Sequence, residues 1–195
     1  MDYINRMKRI ALFASGSGTN VENIANYFRA NTEIEIGLVL SNKKDAYVLE
    51  RAKKLGIPKL VFNREQFYNT QFVVDKLVEH NIDFVVLAGF LWLIPSNLIQ
   101  AFPKKIVNIH PALLPKYGGK GMYGGKVHEA VVENHEIESG ITIHFVNENY
   151  DEGDVIFQYT CDVLPTDSAN DVASKVHALE YEHFPKVIEQ LLKNQ

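Results

Sequence analysis

Asn108 and His110 occupy alternate positions at the end of the apolar run 105–110, directly before Pro111. In a strand, residues i and i+2 point to the same side, so the two side chains emerge together. An amide donor and an imidazole that titrates near neutrality could stabilise negative charge developing on a reacting carbonyl oxygen. A polar strand end that is satisfied by its own loop would explain the same residues, and the pair alone leaves both interpretations open.

A second candidate site is the hexapeptide SGSGTN at residues 15–20. It contains the glycines Gly16 and Gly18 and the hydrogen-bond donors Ser17, Thr19 and Asn20. Glycines between a strand and a helix allow a sharp turn, and the free amides of a helix N-terminus attract an anion, typically a phosphate. An ordinary tight turn with Thr19 as the helix N-cap is the alternative.

The end of the second predicted strand bears on which phosphate ligand would fit this loop. A dinucleotide-binding fold has an acidic residue about 20 positions after the glycines, where it binds a ribose. Here that strand ends in LVLSN, at residues 38–42, without a carboxylate. The sequence therefore favours a phosphate ligand and disfavours an NAD-dependent oxidoreductase.

A third candidate is the acidic turn NENYDEGD at residues 147–154. Its carboxylates are Glu148, Asp151, Glu152 and Asp154. Turns collect such residues for local hydrogen bonding, so a solvated turn is the simpler explanation. If the turn lies over the end of the His110 strand, one carboxylate could orient the imidazole and relay a proton. The spacing does not choose between the four.

The seven histidines give little support to a metal site. His128 and His135 are seven positions apart, which misses the i, i+4 spacing of helical zinc ligands, and the sequence contains no CxxC pair. We therefore predict no metal. His177 precedes Glu180 by three residues, on one helical face, whereas the remaining histidines are predicted to lie on the surface or in packing positions.

The elements that must position these residues follow from the apolar periodicity. Strands are predicted at residues 9–13, 35–41, 59–62, 82–90 and 105–110. Helices are predicted at 46–55, 95–102 and 126–134, with one more carrying Val21 to Phe28 and another carrying Phe67 to Val78. The segment IDFVVLAGF, at 82–90, contains an unbroken apolar run from Phe84 to Ala88, which is typical of a strand buried on both faces of a parallel sheet. This β–α alternation predicts a parallel sheet covered by helices.

The second half of the chain departs from this alternation. A mobile glycine-rich loop is predicted at residues 117–125. Residues 140–148 alternate apolar and polar side chains, which predicts two unlike faces, and residues 155–160 follow closely enough for an antiparallel hairpin at the sheet edge. Asp167 or Ser168 is expected to cap a final helix with a kink or break near Pro185.

Composition limits the class of protein. The 195 residues carry a net charge of −4, which gives no basic field for nucleic acid. Cys161 is the only cysteine, and neither a leader nor a run of 18 apolar residues is present, so we expect a cytoplasmic protein without a membrane partner. The whole chain, 1–195, is predicted to be one Rossmann-like α/β domain.

Several motifs, taken together and in order, resemble the small, folate-dependent glycinamide ribonucleotide formyltransferases. They are SGSGTN, SNKKDAYVLERAKKLGIP, VVLAGF, NIHPALLPKY, GITIHFVNENYDEGDVI and VHALEYEHFP. The resemblance implies transfer of a formyl group from 10-formyltetrahydrofolate, a co-substrate, to the amine of glycinamide ribonucleotide. It also implies the formyltransferase fold, with ribonucleotide binding in the N-terminal half and folate binding and catalysis in the C-terminal half. A monomer or homodimer is expected.

The resemblance assigns roles to individual residues. The implied catalytic residues are Asn108, His110 and Asp151. The implied ribonucleotide-binding residues are Gly16, Ser17, Gly18, Thr19, Asn20, His177 and Glu180, and the folate is expected beside Leu91, Trp92, Leu93, Asn147 and Asp151. In this assignment Asp151 would keep His110 protonated, and Asn108 and His110 would stabilise the oxyanion of a tetrahedral intermediate.

The sequence departs from the family pattern at two places. Many family members have arginine where Trp92 stands, and the loop KYGGKGMYGGKVH differs from the usual KYPG form.

Three other functions are alternatives to this assignment. Formyltetrahydrofolate hydrolases and methionyl-tRNA formyltransferases share the three catalytic residue types but usually carry additional domains. A non-catalytic nucleotide- or folate-binding module would need the glycine loop without the convergent polar groups.

Overall fold

A computed structural model describes residues 6–194. The strands are β1 (Lys8–Phe13), β2 (Ile34–Ser41), β3 (Lys59–Val61), β4 (Phe84–Leu87), β5 (Ile106–His110), β6 (Glu138–Phe145) and β7 (Val155–Asp162). The helices are α1 (Thr19–Phe28), α2 (Val48–Leu55), α3 (Arg64–Tyr68), α4 (Phe72–Glu79), α5 (Ser96–Ala101), α6 (Gly125–Glu133) and α7 (Ala169–Lys193). No helix in this part of the chain is long and apolar enough to cross a bilayer.

The strands form a seven-stranded sheet in the order β3-β2-β1-β4-β5-β6-β7. Strands β1 to β5 pair in parallel, whereas β6 and β7 pair antiparallel at the edge. The structure thus confirms the mostly parallel sheet and its terminal hairpin. The strand order reverses between β1 and β4, and in open α/β sheets ligands bind at such a point, outside the carboxyl ends of the strands.

Burial on both faces explains the continuous apolar runs of the central strands. In β1, Ile10 and Leu12 belong to one apolar cluster, and Ala11 and Phe13 belong to another. The first cluster includes side chains of α1, α2, α6 and α7, and the second includes those of α3, α4 and α5. Helices therefore cover both faces of the sheet, which fixes the strand ends that carry polar residues.

The helix predicted to carry Phe67 and Val78 is two helices, α3 and α4. Its apolar pattern continues across the break, but Thr70 interrupts it, because its hydroxyl donates to the Gln66 carbonyl and accepts from the Phe72 amide. A side chain that bonds the backbone in this way competes with the helix. Phe67 of α3 is buried, whereas Val78 of α4 is 63% exposed.

Two further expectations concern the two faces of β6 and the course of the final helix, α7. The polar face of β6 is buried as well as its apolar face: Thr142 and His144 have almost no exposed surface. Helix α7 runs without a break through Pro185, and Ser168 caps it in a reciprocal capping box with Asp171. Thr142 and His144 are buried because each has internal hydrogen bonds, to Ala112 and to Asn108 and Phe145 respectively.

Candidate active site

A cavity of about 610 Å³ lies at the carboxyl ends of β1, β4 and β5, a volume typical of small-molecule sites. It is lined by eleven of the residues that the sequence singled out: Gly16, Ser17, Gly18, Thr19, Asn20, Leu91, Asn108, His110, Asp151, His177 and Glu180. Trp92, Leu93 and Asn147 do not line it. Of these three, Leu93 lines an adjacent groove.

The glycine loop is built so that the first turn of α1 faces the cavity. Gly18, and not Thr19, is the N-cap; its φ is 73°, and no side chain caps the helix. A Cβ at Gly18 would lie 2.4 Å from the Val48 side chain, so only glycine fits. Arg51 Nε donates a 2.9 Å hydrogen bond to the Ser17 carbonyl, which fixes the loop from outside. The uncapped amides remain available to an anion.

Asn20, His177 and Glu180 form one hydrogen-bonded group at this end of the cavity. Asn20 Nδ2 donates to Glu180 Oε2 at 2.9 Å, and His177 Nδ1 donates to the same oxygen at 2.8 Å. Glu180 is only 4% exposed. The hydrogen bond from His177 to Glu180 raises the pKa of the His177 imidazole. The structure thus joins residues that the sequence assigned to two distant segments.

Asn108, His110 and Asp151 meet at the other end of the cavity. His110 Nδ1 lies 3.5 Å from Asp151 Oδ2, and Asn108 Nδ2 donates to Asp151 Oδ1 at 3.4 Å. His110 Nε2 lies 2.7 Å from the Tyr117 carbonyl, which can only accept, so Nε2 carries a proton. The other ring nitrogen of His110, Nδ1, therefore faces the Asp151 carboxylate, close enough for the two groups to share a proton.

The acidic turn brings Asp151, and not Asp154, to His110. Asp151 has a φ of 58°, a left-handed conformation that spacing does not reveal. Its Oδ2 accepts from the Gly119 amide at 2.9 Å, which anchors the start of the glycine-rich loop to the acidic turn. Asp154 is exposed. The carboxylate that the family resemblance assigns to catalysis is the one that faces the imidazole.

His144 belongs to this group, although the sequence interpretation gave it no role. Its Nδ1 lies 2.9 Å from the Phe145 carbonyl and must donate, so Nε2 accepts from Asn108 Nδ2 at 3.0 Å. This bond fixes the direction of the Asn108 amide. The signal was available in the sequence: His144 pairs with Asn108 once β5 and β6 are placed side by side in antiparallel register.

The titration of the two central groups follows from their surroundings. Burial raises the pKa of Asp151, but the neighbouring His144 and His110 imidazoles and the Gly119 amide together lower the pKa by more, so the carboxylate is ionised. Burial lowers the pKa of His110 by more than Asp151 raises it. Burial therefore favours the neutral His110 imidazole, whereas Asp151 favours the protonated form, and the net direction is toward the neutral form.

His128 is a further residue of the cavity that the sequence interpretation missed, since it predicted a surface or packing residue. It is 2% exposed, it lines the cavity, and its Nδ1 has no hydrogen-bond partner among residues 6–194. A buried polar atom without a partner typically costs about 1–3 kcal/mol. No local spacing rule would have revealed this position.

Trp92 packs in an aromatic cluster beside the cavity. Its ring lies within 6.5 Å of four others, those of Phe62, Phe67, Tyr68 and Phe90. The Arg64 guanidinium lies 5.7 Å from the Trp92 ring centroid. Trp92 thus packs into the aromatic cluster and does not line the cavity, whereas the neighbouring Leu91 does.

The arrangement provides hydrogen-bond donors and a proton acceptor. Among residues 6–194 no group of three or more His, Cys, Asp or Glu side chains could hold a metal ion. The Asn108 amide could donate to an oxyanion, and the His110–Asp151 pair could take up a proton. These are the requirements of acyl transfer to an amine.

Comparison with known proteins places the chain in a family. The formyl transferase family model matches residues 8–188. Phosphoribosylglycinamide formyltransferase of Haemophilus influenzae is 38% identical, over 93% of this chain and 86% of the relative. The chloroplastic enzyme of Arabidopsis thaliana, which bears the same name, is 43% identical over 94% of this chain. The chain spans 65% of that relative and 62% of the one from Vigna unguiculata.

Solved structures agree with this relationship. The crystal structure of phosphoribosylglycinamide formyltransferase from Anaplasma phagocytophilum has a TM-score of 0.87 and 31% identity, and covers 97% of this chain and 89% of its own. That from Bacillus halodurans has a TM-score of 0.85 and 36% identity, and covers 95% of both chains. The chain therefore belongs to the formyl transferase family.

Proposed function

We propose that this protein is a phosphoribosylglycinamide formyltransferase, which transfers the formyl group of 10-formyltetrahydrofolate to the amine of glycinamide ribonucleotide during purine biosynthesis. One observation carries the proposal. Asn108, His110 and Asp151 converge at one end of a cavity whose other end is an uncapped helix N-terminus. A phosphorylated acceptor can thus be anchored at one end while its amine reacts at the other.

The acceptor is oriented by the glycine loop and α7. Its 5′-phosphate binds the first-turn amides of α1 with the side chains of Ser17, Thr19 and Asn20. Lys43 lines the same cavity and makes no ion pair within residues 6–194, so it adds positive charge beside the loop. The ribose hydroxyls lie against Glu180 and His177. The buried carboxylate of Glu180 is a strong hydrogen-bond acceptor.

The formyl donor occupies the remaining part of the cavity. The reduced folate lies beside Leu91, with Trp92 and Leu93 behind it, and along the turn from Asn147 to Asp151. Leu91 and Asp151 line the cavity directly. The donor is a co-substrate, so its formyl group must reach the same point as the acceptor amine, at near-contact distance.

The reaction moves one acyl group and one proton. The neutral amine attacks the formyl carbon, and the carbonyl electron pair moves to oxygen, where the Asn108 N–H that otherwise makes the long 3.4 Å bond to Asp151 donates to the oxyanion. The amine proton passes to the His110–Asp151 pair, so the imidazolium forms beside an ionised carboxylate. When the bond between the formyl carbon and folate N10 breaks, N10 takes up that proton. His144 keeps the Asn108 amide aligned throughout.

The test is an assay with water as the competing acceptor. Purified protein is incubated with 10-formyltetrahydrofolate, with and without glycinamide ribonucleotide, and both tetrahydrofolate and formylated ribonucleotide are measured. We expect one formylated ribonucleotide per tetrahydrofolate, and little release without the acceptor. Release of formate regardless of the acceptor would establish the hydrolase instead, and binding without turnover would establish a non-catalytic module.

The substrate class, the oligomeric state and the cellular location are part of the same proposal. We expect small-molecule substrates, a monomer or a homodimer, and a cytoplasmic location supported by the single cysteine. The 1–195 chain is proposed to act as one catalytic domain. Sedimentation of the purified protein and fractionation of cells that produce it test these expectations.

A further inference from the structure

His128 is buried in the wall of the cavity, yet packing does not explain why it is a histidine. It lies on α6, one turn after the glycine-rich loop, and it lines the cavity with 2% of its surface exposed. Its Nδ1 is buried and has no partner in the described part of the chain. An apolar side chain of similar volume would avoid the penalty of that unpaired atom.

The surroundings of His128 place it between the two ends of the cavity. Its ring lies 6.2 Å from that of His177, in an edge arrangement. Burial, His177 and His110 lower the pKa of His128, while Glu180 raises it. His177 and Glu180 from one end of the cavity, and His110 from the other, therefore all act on the His128 imidazole, and the net direction favours its neutral form.

The unpaired nitrogen indicates which tautomer is present. A neutral imidazole carries one proton, and a buried N–H without an acceptor is rarer in proteins than an acceptor without a donor. Because Nδ1 has no acceptor, the proton belongs on Nε2. His128 then offers one neutral hydrogen-bond donor, which suits a carbonyl oxygen and adds no charge for a phosphate.

In the proposed acceptor, the stretch between the ribose and the reactive amine is an amide. Its carbonyl oxygen is the strong hydrogen-bond acceptor of that stretch. We propose that His128 Nε2 donates a hydrogen bond to this carbonyl, so that His128 selects acceptors with an amide between sugar and amine and orients the amine. This inference rests on the proposed function and names a residue that sets the specificity of the same site.

The first test compares three variants at one position. His128→Met fills the volume without a donor, and we expect the acceptor KM to rise about 3- to 10-fold, the loss of one neutral hydrogen bond. The folate KM should stay unchanged and the melting temperature should not fall. His128→Gln carries a donor at similar reach and should restore most of the affinity, whereas the shorter His128→Asn should not.

His183 provides a matched control. It too has a buried nitrogen without a partner, Nε2, but it packs against Phe157 and Tyr159 and does not line the cavity. His183→Met should leave both KM values unchanged. The same substitution at two unpaired imidazoles thus separates a contact with the acceptor from a general effect of removing a histidine.

The second test changes the acceptor. A thioamide analogue, which stays uncharged but whose sulfur accepts a hydrogen bond more weakly than the amide oxygen, should bind the wild-type protein more weakly than the amide, and His128→Met should show no further loss. An unchanged acceptor KM in His128→Met, an equal rise in the folate KM, or an analogue penalty that persists in the variant would overturn the inference while wild-type transfer stands. Absence of wild-type transfer would instead overturn the proposed function.

Discussion

Asn20 and Glu180 are 160 positions apart in the chain, and the Asn20 side-chain amide donates a 2.9 Å hydrogen bond to the Glu180 carboxylate. This bond joins the N-terminus of α1 to the middle of α7. Because both residues line the cavity, the proposed anchoring of the phosphate and the proposed recognition of the sugar would depend on one shared contact.

Glu180→Gln tests this coupling. The amide keeps the size of the carboxylate, but it removes the charge that accepts from both Asn20 and His177. We expect the acceptor KM to rise at least about tenfold, since charge-assisted hydrogen bonds are worth about twice neutral ones, while the folate KM changes little. Glu182→Gln, an exposed substitution on the same helix, is the control. Equal effects of the two variants in steady-state kinetics would contradict the coupling.

Gly18 should be far less tolerant than Gly16. Gly18 has a φ of 73° and would place a Cβ against Val48, whereas a Cβ at Gly16 meets nothing within 4 Å. Gly18→Ala is therefore expected to lower the free energy of unfolding by about 1–3 kcal/mol. Gly16→Ala should change it by less than about 0.5 kcal/mol. Urea unfolding measures both, and similar values for the two would count against the close contact.

The pH dependence of the reaction should follow His110. Burial lowers the pKa of this imidazole below its usual 6.5, so the neutral form prevails above that pH. If the neutral form takes up the amine proton, kcat/KM should rise with pH through an apparent pKa below 6.5 from His110, and again at about pH 8, where the acceptor amine loses its own proton. A decline of kcat/KM as pH rises from 6 to 8 would show that protonated His110 is required instead.

His144 is expected to act through Asn108. His144→Phe keeps a planar ring but removes the acceptor for the Asn108 amide, so the oxyanion donor loses its alignment. Misplacement of a reacting group can reduce turnover by about 100-fold, and we expect a 10- to 100-fold fall in kcat with both KM values within threefold. An unchanged kcat would show that Asn108 is aligned by other contacts. Circular dichroism and a melting curve establish that the variant is folded.

The sequence predicted most of the fold because its main determinants are local. The unbroken apolar run before Ala88 and the glycines after β1 indicate buried parallel strands and a turn, whatever the rest of the chain does. Local reasoning failed at Thr70, where a side-chain hydroxyl interrupts an apolar period, because that specific contact outweighs helix propensity. At Pro185 the helix continues without the break that was one of the two expectations there.

The site was predictable only in part. Asn108 and His110 share one strand, so their spacing alone brings them together. Asp151 could be chosen from its neighbours only by family resemblance, since its left-handed φ depends on the folded turn. His128 and His144 enter the site through helix packing and antiparallel register, which link residues that are distant in the chain.

The central claim is that Asn108, His110 and Asp151 act together on one formyl transfer beside an anchored phosphate. His110→Ala tests it most directly, when kcat is measured together with the dissociation constants of the ribonucleotide and of a non-reactive folate analogue. The account predicts a fall in kcat of about 100- to 1000-fold, the scale of losing one such group, with both dissociation constants within a few-fold of wild type. Near-normal turnover, or a loss explained entirely by weaker ligand binding, would contradict it.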